Sequence, residues 1–172
     1  MVVTSAGLLM YHLGGAKINV FLVHPGGPYF VGKDAWGIPK GEIDTENGED
    51  GSDLLAVAIR EFEEETGLKV KKGEKFISLG FLKRREGKIV HVWAFKGTGK
   101  EKFIGSNKFK MEWPAGSGDI GEFFEIDKGK YFDLNSARKK IHKYQIGFLD
   151  RLEDGVVAEL NSIRKPAQAK LV

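Results

Sequence analysis

The stretch Leu54–Gly67, LLAVAIREFEEETG, constrains this chain more than any other. Its apolar residues Leu55, Ile59 and Phe62 recur at i, i+4 and i+7, the period of a helix that buries one stripe. Ser52 or Asp53 stands at the N-cap position, and Gly67 stands where a C-terminal glycine belongs. On such a helix Glu61, Glu64 and Glu65 fall at i, i+3 and i+4 and share one face. Like charges at this spacing repel by about 0.2–0.5 kcal/mol per pair in a solvated helix. The helix must therefore pack one stripe on another layer while its acidic face lines a cleft or meets water. Clustered hard oxygen ligands suit Mg²⁺ or Mn²⁺, which retain waters and bridge to substrate phosphates. Arg60, one residue away, is placed to pair with and orient a carboxylate. From the cluster alone, a solvated acidic face is the stronger reading, because charge runs are common.

The flanking sequence supplies layers for that helix. Ser5–Tyr11 and Lys17–His24 read as strands joined at Gly14-Gly15, and Pro25-Gly26-Gly27-Pro28 ends the second. A glycine- and aromatic-bearing loop, Tyr29–Lys40, follows, and Asp44–Ser52 is acidic and turn-rich. Lys75–Lys83 and Lys88–Phe95 read as two further strands turning at Glu86-Gly87. Lys96–Asp119 is a long basic, glycine-rich connection, and Phe123–Ile126 and Tyr131-Phe132 are short strand pieces. Asn135–Leu152 reads as one amphipathic helix with Ile141, Tyr144, Phe148 and Leu152 on its apolar side, broken at Gly155, before a basic tail. Strands, helix, strands and helix predict an α/β sandwich with a mixed sheet between helices. One domain is expected over residues 1–155, with 156–172 as a C-terminal tail.

A length of 172 residues suits one domain with its own core. The absence of cysteine excludes disulfides, thiolate nucleophiles, iron–sulfur clusters and Cys-ligated zinc. A net charge of +3 is too small to argue for a nucleic-acid platform. Met1–Gly15 lacks the basic start of a signal peptide, and no apolar run approaches the ~20 residues that span a bilayer. A soluble, cytoplasmic protein without a membrane partner is expected. No GxxxxGK[ST] loop is present, and His12, His24, His91 and His142 form no metal-ligand motif.

Gly41 to Leu68 resembles the Nudix box, Gx5Ex7REUxEExGU, where U is a bulky aliphatic or aromatic residue. Arg60, Glu61, Phe62, Glu64, Glu65, Gly67 and Leu68 match its second half without a gap, and Gly41 matches its opening glycine. Trp36-Gly37-Ile38-Pro39 is similar to the lead-in of many members, and the surrounding strands sit where that fold needs them. The spacing departs from the pattern: Gly41 to Arg60 spans nineteen positions instead of fourteen. Strict register puts the middle Glu on Ser52; Glu49 is the more natural equivalent, with insertions on both sides.

The resemblance, nearest to MutT-like and dinucleoside polyphosphate hydrolase-like members, implies a Nudix α/β/α sandwich. It implies a divalent-metal-dependent hydrolase that cleaves a nucleoside diphosphate linked to another group, by attack of water on phosphorus. Glu61, Glu64 and Glu65 would hold Mg²⁺ or Mn²⁺ with the Gly41 carbonyl. Glu61 or Glu64 would be general base, and Arg60 would orient the cluster. A later carboxylate often joins; Glu125 is first choice, with Glu122 and Glu112 as alternatives. Lys40 is a candidate phosphate contact, with Lys83, Arg84 and Arg85 behind it. Tyr29, Phe30 and Trp36 are candidates for base stacking, although Trp36 suits a packing role equally. The substrate would be a dinucleoside polyphosphate, a nucleoside triphosphate or a nucleotide sugar. A nucleotide sensor without activity and an RNA-cap hydrolase remain as alternatives. The latter rests only on Lys139-Lys140 and the basic tail, so nucleic acid is not the expected partner. A homodimer is compatible with the family but nothing in the chain demands it.

Overall fold

The computed structural model describes residues 3–15, 17–84 and 87–164. Arg85, a candidate phosphate contact, Glu86, expected at a turn, and tail residues 165–172 lie outside these. The elements in chain order are β1 (Thr4–Gly14), β2 (Lys17–Pro25), β3 (Lys40–Glu42), α1 (Leu54–Thr66), β4 (Phe76–Lys83) and β5 (Ile89–Lys96), followed by β6 (Lys108–Glu112), β7 (Ile120–Phe124), β8 (Ile126–Asp133), α2 (Leu134–Lys140) and α3 (Ile146–Arg164).

The main sheet runs β4-β5-β1-β2-β8, with β3 also paired to β1. β1 and β5 are parallel and the other pairs antiparallel, so the sheet is mixed as expected. Alternation along the two central strands divides the core in two. Ala6, Leu8, Met10, Phe21 and Val23 point to one face and pack with Val57, Ala58 and Phe62 of α1. Leu9, Tyr11, Val20 and Leu22 point to the other and pack with Phe148, Leu149 and Leu152 of α3. Helices therefore cover both faces, the expected sandwich. No described helix is long and apolar enough to cross a membrane.

Asp53 caps α1, its carboxylate accepting from the Ala56 N–H at 3.0 Å, and Gly67 ends the helix in the left-handed conformation at φ 72°. The buried stripe differs from the expected one. Val57, Ala58, Phe62 and Thr66 are buried, while Leu55 is half-buried outside that core. Small residues at 57 and 58 bring the helix close to the sheet, and the Phe62 ring then meets Phe95 edge-on at 5.3 Å. As a result Glu61 and Glu65, which share one side of Phe62 on the helix, are part-buried at the margin of the core rather than on an open face.

Four other expectations change. The Lys96–Asp119 connection contains a strand, β6, which pairs with β7 as a separate two-stranded arm. The two strand pieces expected near 123–132 divide differently, β7 ending before Glu125 and β8 running unbroken from Ile126. The helix expected over Asn135–Leu152 is interrupted. Ile141 leaves α2 in an extended conformation and bridges to Trp36, with Trp36 N–H donating to the Lys140 carbonyl and His142 N–H to the Trp36 carbonyl. Gln145, 1% exposed, accepts from the Ile38 N–H at 3.0 Å, so the interruption ties the loop before β3 to the helical layer. α3 continues through Gly155, because burial of Leu149, Leu152 and Val156 outweighs the ~1 kcal/mol a mid-helix glycine costs.

Gln145→Ala strands the buried Ile38 N–H, so unfolding free energy in urea should fall by about 1–3 kcal/mol. Unchanged stability would mean that this bond does not hold the loop.

Candidate functional site

The site is built where β3 meets α1. Glu65, partly buried, accepts from the Lys40 N–H at 2.9 Å, which fixes the chain just before Gly41. Gly41 then runs directly beneath Glu61: a Cβ built on Gly41 would lie 2.1 Å from Glu61 Cδ. A Cβ there would push the Glu61 carboxylate aside, so glycine is what lets that carboxylate and this backbone approach each other.

Arg60 gathers the remaining charges. Its Nε and Nη2 donate to the two oxygens of Glu49 at 2.7 and 3.1 Å. Its Nη1 pairs with Glu61 at 2.9 Å and Glu64 at 3.0 Å. Glu49 also accepts from the Asp44 N–H at 2.6 Å. Despite the longer loop it is Glu49, not Ser52, that meets Arg60; the Ser52 N–H turns back to Asp50. The bidentate fork holds the Glu49 carboxyl below its ordinary range and raises the guanidinium.

Burial raises the Glu61 carboxyl, opposed by Arg60 and reinforced by the charges of Glu64 and Glu125. Burial pushes Glu65 up to about 8, against the Lys40 N–H, with Glu61 and Glu125 again adding to the rise. Glu125 therefore shares the field of the helix carboxylates. Its backbone is held on both sides, N–H to the Asn107 carbonyl and carbonyl to the Gly26 N–H. The alternatives are engaged on the arm: Glu122 pairs with Lys108 at 2.9 Å, and Glu112 accepts from the Gly118 N–H. Among the described residues no three His, Asp or Glu side chains close on a common point, because the Arg60 guanidinium stands between Glu61 and Glu64. The donor set nevertheless fits a hard divalent cation: oxygen ligands alone, with mutual repulsion that burial strengthens.

Beside Glu65 opens a cavity of about 250 Å³, whose lining includes Phe30, Lys40, Arg84, His142 and Tyr144. Lys40 and Phe30, two of the expected contact residues, both line it. The Arg84 guanidinium lies over the Tyr144 ring at 4.7 Å. Trp36 is corrected: it is 5% exposed, packed edge-on against Phe132 at 4.7 Å and His24 at 5.4 Å, and belongs to the core. Tyr29 does not line this cavity; it is exposed and meets Trp113. Tyr144 and His142 were not legible as site residues. The helical pattern assigns Tyr144 to a core stripe, and only the break after α2 turns it toward the cavity.

The family model for the NUDIX domain matches residues 2–152. No curated protein matches the chain. Among solved structures, an Ap4A hydrolase of C. elegans in a binary complex is similar at 21% identity and TM-score 0.60, covering 90% of this chain and 98% of its own. The NUDIX domain of Shewanella oneidensis NrtR, complexed with ADP ribose, is 12% identical with TM-score 0.61, covering 91% and 89%. A mutT/nudix family protein of Listeria innocua is 16% identical with TM-score 0.59, covering 92% and 96%. At these identities the structural likeness shows the fold.

Two predictions come from the geometry. Trp36→Ala should destabilise the protein by about 3–5 kcal/mol in urea, the cost of emptying a core position; weaker nucleotide binding at unchanged stability would return Trp36 to the site. In chelator, the raised Glu65 carboxyl binds a proton that the unfolded chain has already lost above about pH 4.5. Stability should therefore fall as pH rises from about 4.5 towards 8, and Glu65→Gln should flatten that slope in pH-dependent thermal melts. An equal slope in the variant would show that Glu65 is not the group responsible.

Proposed function

The chain belongs to the Nudix family and is a Nudix hydrolase, and from this premise we propose that it hydrolyses a dinucleoside polyphosphate or a nucleoside triphosphate with the help of Mg²⁺ or Mn²⁺. The observation that carries this reading is the closure of the box's two ends on each other, with Glu61 seated on the Gly41 backbone and Glu65 bonded to the Lys40 N–H. Similarity to an Ap4A hydrolase and to a domain bound to ADP ribose supports a nucleotide substrate. Retention of Arg60, Glu61, Glu64 and Glu65 together supports an enzyme over a sensor.

Glu61, Glu64 and Glu65, with the Gly41 carbonyl and Glu125 as further oxygens, would hold the cation, which neutralises phosphate charge and makes bound water more acidic. The residues of the chain then divide the remaining work. Glu61 or Glu64 accepts the proton of the attacking water as the new phosphorus–oxygen bond forms and the bridging one breaks. Arg60 keeps those carboxylates in place through Glu49 and does not itself react. The ammonium of Lys40 offsets phosphate charge at the mouth of the cavity. Phe30 and Tyr144, with Arg84 over the latter ring, provide π faces for a base.

Ion-exchange analysis of products from nucleotides incubated with Mg²⁺ or Mn²⁺ tests the reading. Cleavage of a phosphoanhydride should require the metal. Glu64→Gln should lower kcat by at least about a hundredfold at unchanged thermal stability. A folded Glu64→Gln protein with full metal-dependent turnover would remove this glutamate from the mechanism.

A further inference from the structure

The β6–β7 arm is rooted at Glu125. β6 begins immediately after Asn107, whose carbonyl accepts from the Glu125 N–H, and β7 ends one residue before Glu125. The loop after β2 runs along this arm. Near the root, Gly27 faces the Phe109 ring, with a Cβ there 3.1 Å from Phe109 Cζ. Towards the tip, Tyr29 meets Trp113 edge-to-face at 5.0 Å. From Lys108 to Trp113 the strand rises about 17 Å at ~3.3 Å per residue, so the aromatic pair stands well outside the acidic cluster.

These rings keep open surface: Tyr29 is 51% exposed and Trp113 36%, and each has a polar tip beside a broad apolar face. Next to this pair in the chain, Phe30 carries Lys33 over its ring at 5.7 Å. The next residue after Tyr29, Phe30, lines the cavity beside Lys40 and Glu65. Loop and arm together thus lead from the cavity, through Phe30, to the Tyr29–Trp113 pair.

We propose that Tyr29 and Trp113 form a second base-stacking subsite, which holds the aromatic base on the far side of the phosphate chain when the first base occupies the Phe30–Tyr144 cavity. This rests on the hydrolase reading and sharpens it: the preferred substrate carries two bases, a dinucleoside polyphosphate. Stacking on aromatic side chains is tolerant of base identity, so the subsite selects for a second base rather than for a particular one.

The test compares diadenosine tetraphosphate with adenosine 5′-tetraphosphate, which has the same phosphate number and one base. KM is measured with Mg²⁺ and affinity by calorimetry with Ca²⁺. For the wild type, the two-base ligand should bind at least about fivefold more tightly. Trp113→Ala and Tyr29→Ala should each reduce that preference by about fivefold or more, and Trp113→Phe should restore most of it. Equal affinity of the wild type for both ligands, or equal loss on both in the variants, overturns the subsite while leaving the hydrolase reading intact. Binding of neither ligand overturns both. Tighter, steeply salt-dependent binding of a capped RNA oligonucleotide would overturn the dinucleotide assignment in favour of RNA.

Discussion

One guanidinium organises the acidic site. Arg60 binds both oxygens of Glu49 and pairs with Glu61 and Glu64, so a single fixed charge answers three carboxylates. Without it the helix would carry adjacent like charges at the margin of an apolar core, where repulsion is stronger than in water. Since Glu49 also receives the Asp44 N–H, the same interaction anchors the loop between β3 and α1. That loop is five residues longer than the box pattern, yet the anchor absorbs the difference without moving the helix carboxylates apart.

The second constraint is proximity of backbone to carboxylate. β3 is held by pairing with β1 and α1 by its buried stripe against the sheet, so Gly41 and Glu61 are pressed together. The missing Cβ at Gly41 is what allows the contact. Glu65, bonded to the Lys40 N–H, joins the acidic helix to the wall of the adjoining cavity. Glu65 thus links the acidic helix to the cavity that Phe30 and Tyr144 also line.

Much of this was legible in the sequence because it depends on local pattern. The helix bearing Glu61, Glu64 and Glu65, its caps at Asp53 and Gly67, and the strands around it all follow from period and turn chemistry. What escaped depends on contacts distant in the chain. Tyr144 has the spacing of a core residue, and its turn toward the cavity is set by the bridge between Ile141 and Trp36. For Trp36 the sequence left base stacking and packing equally open, and the same bridge draws it into the core with Phe132. On α1 the expected stripe holds at Phe62 and Ile59 but not at Leu55, because the close approach to the sheet uses Val57 and Ala58. β6 was hidden by glycines and lysines, and only pairing with β7 makes it a strand.

The central claim is that these carboxylates form one cation site. Titration of Mn²⁺ followed by electron paramagnetic resonance, on the wild type and on Glu61→Gln and Glu65→Gln, tests it most directly. The account predicts saturable binding by the wild type, weakened at least about tenfold in each variant, since each removes a charged oxygen ligand. Equal Mn²⁺ affinity in all three folded proteins would contradict it.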